Sequence, residues 1–192
     1  MKGVNIFLAD GFEDIEALAT NDVLRRGGIR TQLVSISDEP FVCSSHGVTI
    51  GVESFLSDFD GNHAGTGAGD VMIFPGGMPG SKNLAACRPL IKAMREHYAA
   101  GGTLAAICAA PGLVLSQLSD DLSDLKFTCF DGFEKYLQDK GASFSPEPAV
   151  ACGRIITGRS AGHAVAFGLR ILESVKGPEA EKEVDYALHL GR

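Results

Sequence analysis

The feature that most constrains how this chain can fold is an apolar strand that ends on a cysteine. Thr103-Leu104-Ala105-Ala106-Ile107 is an unbroken run of strand length. Cys108 follows, and Ala109, Ala110, Pro111 and Gly112 then open a helical pattern through Leu113, Val114 and Leu115. A continuous apolar run suits a strand buried on both faces. A strand-turn-helix corner of this kind is a nucleophile elbow, holding its apex residue in a cramped conformation at the carboxyl edge of a sheet. Ala109 and Ala110 suit the corner because little bulk fits beside the apex. A thiol placed there faces the positive end of the helix dipole, which favours thiolate and can bring a pKa of ~8.5 down to roughly 3.5 to 7.5. The alternative is a buried structural cysteine, since free Cys is among the most buried residue types.

The elbow sits in a chain where short β-rich runs alternate with helical patterns. Strands are expected at residues 4–9, 31–36, 71–74, 104–107, 127–130 and 154–157. Helices are expected at 15–26, 90–99, 161–175 and 179–188. This order predicts βαβ units: an α/β fold with a doubly wound, mostly parallel sheet sandwiched by helices. Residues 41–43 and 48–52, separated by Ser44-Ser45-His46-Gly47, predict a small β-hairpin appended to the main sheet. The loop 58–69 is rich in glycine, but Gly65-Thr66-Gly67-Ala68-Gly69 precedes a strand and lacks the Gly-Lys-Ser/Thr ending, so it reads as a surface loop and not a phosphate cradle.

With 192 residues and 45% hydrophobic content the chain is expected to form a single domain, residues 1–192. A formal charge of -7 argues against a general grip on nucleic acid or anionic membrane. Nothing in the sequence suggests a signal peptide, and no apolar run reaches spanning length, so a cytoplasmic location is expected. Cys43, Cys87, Cys108, Cys129 and Cys152 are scattered without a C-x-x-C pair, which favours reduced thiols over a disulfide framework. His46, His63, His97, His163 and His189 are equally dispersed, and no metal is expected.

In open sheets of this class ligands sit beyond the carboxyl ends of the strands, where three further segments converge on the elbow. The first is Asp10-Gly11-Phe12-Glu13-Asp14-Ile15-Glu16. Its acids can serve simply as helix amino-terminal charges, and Asp14 reads that way. Glu16 shares a helical stripe with Phe12, Ala19 and Val23, so its carboxyl group would face apolar surroundings and hold its proton more tightly. A protonated carboxyl can donate a hydrogen bond to a neighbouring thiolate. The second segment, Phe74-Pro75-Gly76-Gly77, ends a strand in paired glycines whose amides, with that of Ala109, could hold a developing oxyanion; a turn that requires positive φ accounts for one of the glycines and less well for the second. The third, Thr157-Gly158-Arg159-Ser160-Ala161-Gly162-His163, is either a loop over the pocket or an ordinary helix start.

These motifs in this order resemble the ThiJ/PfpI superfamily, in the branch of the Parkinson-linked deglycase (DJ-one) and YajL. The residues carrying the resemblance are Gly11-Phe12-Glu13-Asp14-Ile15-Glu16, Asp22-Val23-Leu24-Arg25-Arg26-Gly27-Gly28-Ile29, Phe74-Pro75-Gly76-Gly77 and Ala105-Ala106-Ile107-Cys108-Ala109-Ala110-Pro111. The resemblance implies a flavodoxin-like, class I glutamine amidotransferase-like sheet. It implies that Cys108 is an oxidation-sensitive nucleophile, Glu16 its protonated partner, and the Gly77 and Ala109 amides the oxyanion donors. Glu13 and Gly76 would line the same pocket. Arg26 would approach the pocket of the neighbouring subunit in a homodimer, and His163 replaces a threonine of the family's usual loop. Ala109 stands where the protease-like branch has histidine, so peptidase activity is not expected.

The activity implied is that of a cysteine-dependent glyoxalase or deglycase acting on methylglyoxal, glyoxal or their early adducts, without glutathione, metal or other cofactor. The alternative of a different class is a non-catalytic redox sensor or redox-regulated chaperone, in which Cys108 is oxidised to sulfinate.

Overall fold

The computed structural model describes residues 1–59 and 66–191. Residues 60–65 of the glycine-rich loop, His63 among them, lie outside the described residues.

In chain order the elements are β1 (Val4–Leu8), α1 (Asp14–Arg26), β2 (Thr31–Ser35), β3 (Phe41–Cys43), β4 (Thr49–Gly51), β5 (Ser54–Phe55), β6 (Val71–Phe74), α2 (Gly80–Ala86), α3 (Arg88–Ala99), β7 (Thr103–Ile107), α4 (Ala110–Leu113), β8 (Lys126–Phe127), α5 (Lys135–Gln138), β9 (Ser143–Phe144), β10 (Ala149–Cys152), β11 (Ile155–Gly158), α6 (Ala164–Lys176) and α7 (Pro178–Ala187). The main sheet runs β10-β11-β7-β6-β1-β2-β5, and every pairing is parallel except β10 with β11. Its five inner strands follow the flavodoxin order, with a switch point between β1 and β6. Ile6 lies opposite Ile73, Phe74 opposite Ala106, and Ile107 opposite Gly158, so the carboxyl ends of β1, β6, β7 and β11 come out together.

Strand alternation divides the core in two. Phe7, Met72, Phe74, Leu104 and Ala106 point to one face, where Leu84, Leu90 and Met94 of α2 and α3 cover them. Ile6, Leu8, Ile73, Ala105 and Ile107 point to the other, against Val23 and Leu24 of α1 and Phe167 and Leu172 of α6. Both faces are dry, which is why these strands read as unbroken apolar runs. Each fully buried Phe or Leu contributes on the order of 1.5–3 kcal/mol. No helix among the described residues is long and apolar enough to cross a membrane.

Several expectations are corrected. The hairpin β3–β4 forms its own two-stranded antiparallel sheet and does not extend the main one; it is tied to the loop before α1 by a bridge from Ser44 to Phe12. The strand expected at 127–130 shrinks to β8, which pairs with β9 outside the main sheet. The Thr128 amide donates to Thr157 Oγ1 at 2.9 Å and the Phe130 amide to the Cys108 carbonyl at 2.9 Å, so these residues bind the elbow and β11 instead of a ladder. The strands β5, β9 and β10 and the helices α2 and α5 had no expected counterpart.

Candidate active site

At the elbow Cys108 adopts φ 66°, one of two non-glycine residues with positive φ among those described. Its amide donates to the Gly158 carbonyl at 3.0 Å and its carbonyl accepts from Phe130 at 2.9 Å, so the corner is stitched to β11 and to the loop after β8. The left-handed backbone places the sulfur where the Ala109 and Gly77 amides favour its anionic form. Gly77 has φ 89° and packs backbone to backbone on Phe12 and Glu13, which leaves no space for a side chain there.

Glu16 enters from the first turn of α1 and is 1% exposed. Glu13 caps this helix: its Oε2 accepts from the Glu16 amide at 2.7 Å. The Glu16 Oε2 accepts from the Gly76 amide at 2.7 Å, while Gly76 accepts through its own carbonyl from the Glu13 amide at 3.0 Å. Oε1 has no hydrogen-bond partner of its own, and the carboxyl group faces the Cys108 thiol. A Cβ built on Gly76 would lie 2.5 Å from Glu16 Oε2 and 2.6 Å from Cys108 Cβ, so glycine is what lets acid and thiol meet.

The electrostatics follow from that enclosure. Burial raises the Glu16 pKa to about 7, against the pull of the Cys108 and Gly76 hydrogen bonds, with the Glu13 charge adding to the rise. Burial also pushes the Cys108 thiol up, and an ionised Glu16 pushes it further, while the Ala109 and Gly77 amides pull it down. The thiol is therefore raised, not lowered as its sequence position at a helix start suggested. The helix behind it, α4, is four residues long and gives way to a 3-10 turn at Leu115–Gln117, so little macrodipole accumulates. The two acids act as a pair: a proton on Glu16 removes the charge that opposes thiolate and supplies a donor to it.

Cys108, Glu16, Gly76, Gly77, Ala109 and Glu13 are thus brought together, Gly76 with its amide committed to Glu16. His163 is half-buried in a 3-10 turn with Nδ1 2.9 Å from Ser160 Oγ, a contact within its own loop. Arg26 is not in this chain's pocket. It lies ten residues along α1 from Glu16, about 15 Å, and pairs with Asp22 at 2.6 Å on the surface. Sequence reasoning overlooked His46, whose Nδ1 lies 2.6 Å from Asp14 and 4.0 Å from Glu13. Those three side chains, with ligand atoms within 4.8 Å of one another, form a group among the described residues with the spacing to hold a metal ion. The signal available was the histidine at the tip of a hairpin, with no sequence proximity to the acids it meets.

The DJ-1/PfpI family model matches residues 2–174. Protein DJ-1 homolog B of Arabidopsis thaliana is 32% identical over 183 residues, covering 95% of this chain and 40% of the plant protein. The chain thus spans less than half the length of that relative. Glutathione-independent glyoxalase DJR-1.2 of Caenorhabditis elegans is 31% identical over 167 residues, covering 87% of this chain and 84% of the nematode protein. Among solved structures, oxidized DJ-1 of Toxoplasma gondii superposes with a TM-score of 0.88 at 26% identity, with both chains fully covered.

Proposed function

The chain belongs to the DJ-1/PfpI family, and from that premise we propose that it converts small reactive aldehydes, methylglyoxal or glyoxal, into hydroxy acids with Cys108 as nucleophile and no glutathione or metal. The observation that carries this reading is the convergence on one sulfur of the Glu16 carboxyl and the Gly77 and Ala109 amides. The name of the nematode relative points to the same substrate class.

In the acid-thiolate form of the pair the sulfur attacks the aldehyde carbon. A C–S bond forms, the carbonyl π pair moves to oxygen, and the two amides stabilise that charge while Glu16 delivers its proton. Glu16, now a carboxylate near its own pKa, takes the hydrogen of that carbon as a proton, giving an enediolate as the adjacent carbonyl oxygen takes up the proton that leaves the first hydroxyl, and returns its own proton to the second carbon. The first carbon is oxidised to the thioester level and the second reduced to an alcohol, so no external oxidant is required. Water then cleaves the C–S bond, releasing lactate from methylglyoxal or glycolate from glyoxal and restoring the thiol. Early aldehyde adducts on amines or thiols would enter by the same hemithioacetal, which is how a deglycase reading relates to this one. A homodimer with Arg26 near the partner pocket belongs to the same proposal and is tested by sedimentation.

The test is lactate formation from methylglyoxal by wild type, Cys108→Ser and Glu16→Ala. We expect turnover in wild type alone; no turnover in any of the three overturns the enzyme reading. A redox-sensor reading uses the same donors to hold an oxidised sulfur, and the Toxoplasma neighbour was solved oxidised. It fails if mild peroxide oxidises Cys108 no faster than Cys43 or Cys152.

A further inference from the structure

We propose that Glu13, Asp14 and His46 form a binding site for a divalent transition-metal ion of the zinc class, which would clasp the β3–β4 hairpin to the start of α1. The hairpin is already docked on the loop that precedes this helix. The Gly11 amide donates to the Cys43 carbonyl and the Ser45 amide to the Phe12 carbonyl, each at 2.8 Å, and the Cys43 amide donates to Asp10 Oδ1 at 2.9 Å. Inside the turn, Ser44 Oγ accepts from the amides of His46 at 3.2 Å and Val48 at 3.0 Å, which fixes the histidine backbone. His46 Nδ1 then lies 2.6 Å from Asp14 Oδ2 and 4.0 Å from Glu13 Oε1, and the three ligand atoms fall within 4.8 Å of one another.

A second observation concerns the charge of the two acids. The side chains of Glu13 and Asp14 are only 12% and 16% exposed, and among the described residues neither pairs with a lysine or arginine. Carboxylates so enclosed are ordinarily paired with a cation or bound to a metal. Their one ion-pair partner among the described residues is the His46 imidazole, itself 67% exposed. Asp14 Oδ1 is buried without a well-formed hydrogen bond, although the Ser44 hydroxyl beside it favours the carboxylate. Glu13 divides its oxygens: Oε2 accepts from the Glu16 amide at 2.7 Å, which leaves Oε1 for the ion. Two carboxylates and a neutral imidazole balance a divalent charge, and they outweigh the positive end of α1, which opposes a cation only weakly. One imidazole nitrogen with two carboxylate oxygens suits zinc better than magnesium or calcium, which take oxygen ligands. Ligands ~2.1 Å from a tetrahedral ion sit ~3.4 Å apart, so the Nδ1–Oδ2 contact must open and the Nδ1–Oε1 gap close, each by less than ~1 Å. An exposed ring can make that movement. The ion takes the place of the proton between Nδ1 and Asp14, which goes to solvent, and water fills the fourth position. Cys108 is not among the ligands, so the site stands or falls apart from the reading of the thiol.

The experiment is calorimetric titration with zinc of a parent protein carrying Cys43→Ser and Cys108→Ser, which removes the exposed thiol of the hairpin and the thiol of the elbow as competing ligands. His46→Gln, Asp14→Asn and, as a control, His189→Gln are added to that parent. We expect one zinc per chain, with affinity at least about 10-fold weaker in His46→Gln and Asp14→Asn and unchanged in His189→Gln. Zinc should also raise the urea midpoint of the parent and of His189→Gln while leaving that of His46→Gln in place. Imidazole NMR on the parent needs no further substitution, and there the His46 resonances should respond to zinc before those of any other histidine. The proposal is overturned if His46→Gln binds zinc as tightly as the parent, if another histidine responds first, or if the parent binds no zinc.

Discussion

Glu16 and His97 are both buried titratable side chains beside the central strands, one at each end. Glu16 is 1% exposed beyond the carboxyl ends of β1 and β6; His97 is 0% exposed at the amino ends of β6 and β7. Each has one polar atom satisfied by backbone and one that is not. Glu16 Oε2 accepts from Gly76, whereas His97 Nε2 donates to the Asp70 and Thr103 carbonyls, 3.1 Å from each. Glu16 Oε1 and His97 Nδ1 have no hydrogen-bond partner. Burial is the leading cause in both cases and favours the neutral form, taking Glu16 up to about 7 and His97 down to about 4. The Met1 amino group adds to the lowering of His97. What differs is the neighbour of the open atom. Glu16 faces a thiol with which it can exchange a proton, whereas His97 holds two backbone carbonyls through Nε2 and feels Asp70 and the Met1 amino group only through their charge. Desolvation alone makes a locked residue; desolvation beside a second acid makes a reactive one.

The largest test of this contrast is Gly76→Ala, which drives a methyl group between carboxyl and sulfur. Activity should fall by more than about 100-fold and stability by about 1–3 kcal/mol, measured by lactate formation and urea unfolding.

Glu16→Gln comes next and separates reactivity from stability. Activity should drop by about 100-fold. The folded carboxyl keeps its proton from ~4.5 up to about 7 while the unfolded one has lost it, so wild type loses stability as pH rises through that window. The glutamine variant should therefore be about 2 kcal/mol more stable at pH 8, as measured by chemical unfolding. His97 carries the opposite sign. Its folded pKa lies below the unfolded ~6.5, so the unfolded chain takes up a proton first and stability is lost as pH falls from ~6.5 to about 4. His97→Gln should remove about 2–3 kcal/mol of that acid loss and leave turnover within about twofold. Identical acid limbs in variant and wild type would break the comparison. The smallest effect is expected from Ser160→Ala, which removes the 2.9 Å contact with His163 and should change stability by about 1 kcal/mol or less, with turnover within about twofold.

The elbow and the sheet were legible because burial on both faces writes strands as apolar runs, and Glu16 because its stripe with Phe12, Ala19 and Val23 marks an inward face. Other parts left little trace. The strand β10 is Ala-Val-Ala-Cys, with neither bulk nor alternation, and is held by its pairing to β11. The helix α2 starts at Gly80 behind a glycine- and proline-rich loop, a composition that reads as turn. The role of Gly76 as the amide donor to Glu16, 60 residues away in sequence, is purely tertiary. So is the meeting of His46 with Asp14, and the shortness of α4 that undercuts the dipole expected behind Cys108.

The φ of 66° at Cys108 bears on how this position would drift. A side chain held there strains the backbone by roughly 1–3 kcal/mol, a cost that glycine escapes. In a lineage that had no further use for the sulfur, random substitution would move the corner towards glycine and a sturdier, inert protein. Retention of a thiol at such a spot across a lineage would mark chemistry still under selection.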